Sequence, residues 1–87
     1  MINKISFENG KWITPVEPEI GYIIGDGIGI DVTPVAMNVI NSAVEKAYGN
    51  TRSINWVEVL VGEKAANLGK DNLSQEALEQ IKDLRVV

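Results

Sequence analysis

The chain has no cysteine and no histidine. Without cysteine there is no disulfide framework, no thiolate metal site and no cysteine nucleophile. Without histidine it lacks the commonest general base and the commonest zinc ligand. Basic residues are few, eight against twelve acidic ones, and scattered. A net charge of −4 with no Lys/Arg cluster excludes a nucleic-acid surface, which needs concentrated positive charge to displace counterions. No apolar run approaches the roughly 20 residues of a membrane span, and "MINKISFENGK" lacks a signal-peptide core. These features predict a cytoplasmic protein. At 87 residues it is a single α/β domain over 1–87, partial or minimal, near the size where one core only just suffices.

What is present reads in order. "KISFENGKWIT" predicts a β-hairpin over residues 2–14, with Ile5 and Phe7 before Asn9-Gly10 and Trp12 and Ile13 after it. Asn-Gly suits a type I′ turn, whose two central residues both need positive φ. "PVEPE" is an extended connector, and Ile20–Ile24 a short strand apolar enough to be covered on both faces. A helix follows over about Val32–Tyr48, with Asp31 as N-cap and Thr33 as its competitor, and Gly49 ends it. Val32, Val35, Ala36, Val39, Ile40, Ala43 and Ala47 recur at helical spacing and predict a buried stripe. Asn38, Asn41, Ser42, Glu45 and Lys46 predict the wet face.

Ile54–Val61 predicts a second strand, with Val57, Val59 and Val61 on one face and Trp56, Glu58 and Leu60 on the other. "GEKAANLG" predicts a short helical turn. A further helix starts near Ser74 and carries Ala77, Leu78 and Ile81 inward, and "LRVV" opens a third strand. The fold class is α/β: an N-terminal hairpin, then β-α-β-α-β over 20–87, the start of a mostly parallel sheet with helices packed on it. An edge at Val86-Val87 requires a partner strand.

"YIIGDGIGIDVTP", Tyr22–Pro34, puts glycines at 25, 27 and 29 between a strand and a helix. The position of a phosphate-binding turn is right, since helix N-terminal amides attract anions. The spacing is wrong: the dinucleotide fingerprint wants its third glycine three residues after the second, where Ile30 stands. Asp26 and Asp31 repel phosphate. By its residues the stretch is a tight turn with a helix cap, and the competing reading is contact with a cofactor's neutral portions. Glu58, the Glu76-Glu79-Lys82 group and Glu45-Lys46 read as solvated polar positions.

"NGKWITPVEPEIGYIIGDGIGIDVTPVAMNVINSAVEKAYGNTRSINWVEVLVGEK" closely resembles the N-terminal segment of bacterial NADP-dependent isocitrate dehydrogenases, of the isocitrate/isopropylmalate dehydrogenase family. The "GDGIG" turn marks the wider family; "GDGIGIDVTP" with "AVEKAY", the strand plus "GEK", and "LRVV" in the place of the family's "YRVA" narrow it. The resemblance spans about Ile5–Val87. It implies that the turn lies at the rim of the cofactor cleft and that the family's isoleucine contact with the cofactor falls on Ile28. It also implies NADP and Mg or Mn for the parent enzyme, with no cofactor held by this chain alone. Two positions depart from the family: Ile24 replaces a usual Glu, and "VLVGEK" replaces a usual Tyr-Thr before Gly-Glu-Lys.

A substrate with three carboxylates needs several arginines, and Arg52 and Arg85 are the two present. No catalytic or metal-binding residue of the family maps onto this chain, so it is expected to be inactive alone. Two readings stay open. In one, it is the N-terminal portion of an NADP-dependent isocitrate dehydrogenase. In the other, it is a stand-alone, non-catalytic binding or inhibitor protein derived from that segment, for example phage- or plasmid-borne. Both imply a protein partner: the remainder of the enzyme, a second copy, or a target protein.

Overall fold

A computed structural model describes residues 3–87. Strands β1 (Ser6–Glu8) and β2 (Lys11–Ile13) form an antiparallel hairpin with Phe7 opposite Trp12. Asn9 and Gly10 carry φ of 53° and 78°, the double positive φ that the turn type demands. Across the hairpin the Phe7 and Trp12 rings meet edge to face at 4.9 Å, yet both remain about half exposed. The expected start of the hairpin at residue 2 lies outside the described residues.

Strand β3 (Glu19–Tyr22) pairs in parallel with β4 (Asn55–Glu58), Gly21 opposite Val57 and Tyr22 opposite Glu58. Between them runs helix α1 (Gly29–Tyr48); after β4 come α2 (Glu63–Asn67) and α3 (Gln75–Leu84). The architecture is therefore α/β with two small sheets and three helices. Both strands of the parallel pair are shorter than the apolar runs that signalled them. The expected third strand is not formed. Arg85, at φ 69°, ends α3, and the following chain gives β3 one backbone bond, from the Gly21 amide to the Val86 carbonyl at 2.9 Å. Among the described residues no helix is long and apolar enough to cross a membrane.

The two faces of β3–β4 take different helices because strand side chains alternate. On one face lie Val57, Val59 and Val61, as their alternation predicts. Val59 joins Ala77 and Leu84 of α3 in the buried core, with Ile23 and Ile81 packed beside them. Ser74 caps α3, its hydroxyl accepting from the Ala77 amide at 3.1 Å. Leu78, expected inward, is 40% exposed, and Leu84, one turn and a half further on, is fully buried in its stead. Gly21 makes this packing possible: a Cβ there would stand 2.9 Å from Leu84 Cδ1 and 3.0 Å from Val87 Cγ2.

On the other face lie Tyr22 and Trp56, whose rings meet edge to face, and here α1 corrects the sequence reading. The helix begins at Gly29, three residues early, with Ile28 at the N-cap. Asp31 is not the cap but sits in the first turn, where its charge suits the helix dipole. Thr33, Met37 and Val44 are the half-buried side chains, and Asn41, exposed as expected, accepts from Trp56 Nε1 at 2.9 Å. The expected buried stripe is instead open: Val32, Val35, Val39 and Ile40 are all exposed, and no α1 residue is fully buried. The physical reason is that α1 is apolar around much of its girth, whereas a two-stranded sheet is wide enough to cover only one line of it.

Two predictions follow the packing. Gly21→Ala should destabilise the fold by about 1–3 kcal/mol through overpacking, read from the denaturant midpoint; an unchanged midpoint would remove Gly21 from the core argument. Lys4 bridges the N-terminal segment to α3 through Asp83 at 2.8 Å, with Glu19 at 3.5 Å. The hydrogen bond to Asp83 raises the Lys4 pKa, and the same bond lowers that of Asp83. Because the Asp83 folded pKa is depressed, its contribution is present above the unfolded value of about 3.9 and fades as pH falls through the folded one. The raised Lys4 pKa gives the opposite limb: its contribution is complete below about 10.4 and fades above it. Titration of the Asp83 carboxyl carbon by NMR should therefore shift upward in Lys4→Met, and an unmoved midpoint would break the assignment.

Candidate functional site: the glycine turn

The turn between β3 and α1 is the one place where the sequence points to chemistry, and the fold holds it at three points. The Gly29 amide donates to the Asp26 carbonyl at 3.0 Å, closing a four-residue turn with Gly27 and Ile28 at its centre. The Thr33 hydroxyl donates to the Ile24 carbonyl at 2.7 Å, tying the first turn of α1 to the end of β3. The Asp26 carboxylate accepts from the Glu63 amide, the first of α2, at 2.8 Å. Glycine is required at two of these junctions. A Cβ on residue 29 would meet the Ile24 carbonyl oxygen at 2.6 Å. One on residue 62, already at φ 78°, would meet the Asp26 carboxylate at 2.9 Å.

This geometry decides whether the turn wraps a phosphate. The amides of Gly29, Ile30, Asp31 and Val32 all donate to carbonyls of residues 26 to 28. The donors that an anion would use at this helix end are thus consumed inside the turn. Asp26 and Asp31 add negative charge, and no lysine or arginine lies in the turn itself. The arrangement suits an uncharged, apolar surface and not a phosphate.

Ile28, the residue singled out by resemblance, stands at the N-cap of α1 with 78% of its surface exposed. Beside it a hollow of about 240 Å³ is lined by Ile24, Asp26, Ile30, Glu63, Lys64 and Asn67. Ile24 is half buried and gives this hollow an apolar wall. A larger hollow of about 500 Å³ lies at the far end of α1 and shares no residue with the turn.

Two of the remaining polar candidates are paired with surface lysines. Glu58 takes Lys64, and Glu76 takes Lys70 at 3.0 Å. Among the described residues no three acidic, histidine or cysteine side chains converge as a metal site would require. Arg52 lies against the Tyr48 ring at 5.6 Å, away from the glycine turn.

Residues 19–87 match the family model described as isocitrate/isopropylmalate dehydrogenase. The chain belongs to this family. It is 46% identical over 86 residues to "Isocitrate dehydrogenase [NADP] 1" of Colwellia maris, covering 97% of this chain and 21% of that protein. It is 48% identical over 85 residues to "Isocitrate dehydrogenase [NADP]" of Coxiella burnetii, covering 95% of this chain and 20% of that protein. It is 52% identical over 69 residues to the protein of the same name from Staphylococcus epidermidis strain RP62A, covering 79% and 16%. The chain thus spans about a fifth of the length of these relatives. Within the family's glycine turn, the sequence missed the role of Asp26, which it marked as a repeller of phosphate. Its partner lies 37 residues away, a separation that no local pattern reveals.

The Thr33 anchor is open to test. Thr33→Val keeps the side-chain shape and removes the donor to the Ile24 carbonyl, a loss of about 1 kcal/mol. Faster amide exchange at Gly29–Val32 is the expected sign; unchanged exchange would mean that the turn is held without it.

Proposed function

We propose that this chain works as the N-terminal portion of an NADP-dependent isocitrate dehydrogenase, forming one rim of its cofactor cleft through Ile28. The observation that carries the reading is identity of 46–48% along nearly the whole chain to enzymes named for that activity. The turn supports it. An exposed isoleucine on a rigid, glycine-built corner offers apolar contact, and the amides behind it are already satisfied. The phosphates of NADP, the divalent metal and the substrate carboxylates belong to residues supplied by the rest of the enzyme. Bound NADP would supply a hydride acceptor for the secondary alcohol, and Ile28 would pack as one wall against its uncharged portion.

The surface of the chain supports a role inside a larger body. Its accessible area is 6185 Å², against about 5,000 Å² for a folded monomer of 9.5 kDa. Its radius of gyration is 14.5 Å, against about 12 Å for a compact chain of this length. It is a slab with extents of 38 × 31 × 18 Å, and its open faces carry large apolar side chains on α1, on the hairpin and at Val86-Val87. The remainder of the enzyme is the protein partner that this reading requires. A stand-alone binding protein would need another cover for the same surfaces.

Two measurements test the proposal. The polypeptide carrying these residues should reduce NADP in the presence of isocitrate and a divalent metal, and the isolated 87-residue chain should not. Turnover by the short chain, or none by its parent, contradicts it. In the parent, Val39→Glu should cost at least about 3 kcal/mol, because a carboxylate would be forced into an apolar contact. If the melting temperature does not move, α1 faces water and the cover proposed for it does not exist.

A further inference from the structure

The hydrogen bonds around Asp26 place one residue in control of two separate parts of the chain. Its carbonyl accepts from the Gly29 amide and closes the turn that presents Ile28, while its carboxylate accepts from the Glu63 amide and fixes where α2 begins. Gly27 carries a positive φ of 57° and Ile28 a helical φ of −65°, and the two form the centre of the tight turn that opens at Asp26. Gly62 is bare because the carboxylate occupies the space a side chain would take. The Gly62 amide, in turn, donates to the Asn72 carbonyl at 2.6 Å, anchoring the far end of the link to the loop before α3.

We propose that Asp26 is a positioning residue for cofactor binding: through the Glu63 amide it locks the glycine turn to α2 and thereby holds Ile28 at the cleft rim. This rests on the function proposed above, in which Ile28 touches the cofactor. In this proposal Asp26 acts through its hydrogen bonds and not through contact with the cofactor. Its carboxylate faces the start of α2, and its effect reaches the cleft through the two-residue turn.

The test uses the full-length enzyme that carries these residues. Asp26→Ala removes the acceptor, and Asp26→Asn keeps an acceptor oxygen without the charge. Glu63→Pro removes the donor at the first position of α2, where proline is tolerated. Asp26→Ala should raise the KM for NADP about fivefold, the worth of one such hydrogen bond, and leave kcat within about twofold. Asp26→Asn should restore a KM within about twofold of wild type. Glu63→Pro should reproduce the Asp26→Ala rise, and the double variant should be no worse than either single one, because both remove the same bond.

Several results would overturn the proposal: an unchanged KM in Asp26→Ala, a fall in kcat alone, no recovery with Asn, or additive losses in the double variant. If Asp26→Ala does not fold, Asp26→Asn and Glu63→Pro decide on the same two readouts. The wild-type enzyme is assayed first. If it does not reduce NADP with isocitrate, the functional reading fails before any variant is made, and this proposal falls with it. If wild type is active and the variants are silent, only the role of Asp26 fails.

Discussion

Leu84 reaches the backbone of β3 because residue 21 has no side chain. That contact sets the spacing of α3 from the sheet, and Val59 and Ala77 complete the same small core. The constraint runs through the fold. With α3 fixed on one face, Lys4 can reach Asp83 on α3 and Glu19 on β3 together, which ties the N-terminal segment to both elements. The other face is left to α1. A sheet of two strands is narrow, so each helix gains only a single line of contact, and burial is concentrated in a few residues.

This explains which parts of the fold were legible in the sequence. Most turns and caps were, because their chemistry is local: Asn9-Gly10 for the hairpin, Gly49 at the end of α1, Ser74 at the start of α3; the N-cap of α1, expected at Asp31, falls instead on Ile28. The face of β4 was legible because period-two alternation leaves only two choices for Val57, Val59 and Val61. The face of α1 was not. Its apolar residues occupy more than one stripe, so periodicity alone cannot say which stripe meets the sheet. Thr33, Met37 and Val44 are the half-buried positions, while Val32, Val35 and Val39 are exposed. The outer side of this helix stays open among the described residues.

The glycine turn was half legible. Its failure to match a phosphate loop followed from spacing, and the geometry supplies the cause: the amides of Gly29–Val32 bond back into the turn. Its stiffness was hidden, because it depends on Gly62 and Glu63, far along the chain. A rigid corner carrying an exposed isoleucine is useful only where something presses against it. In the function proposed above, that something is the cofactor of a larger enzyme, with the contact on Ile28.

The most direct measurement is the intact mass of the native polypeptide that carries these residues. If the chain is one rim of an isocitrate dehydrogenase cleft, the mass should be about five times 9.5 kDa, in proportion to the fifth of its relatives that it spans. A native species of 9.5 kDa, folded and without isocitrate-dependent NADP reduction, would contradict the account and assign the open faces of α1 and the hairpin to a separate binding protein.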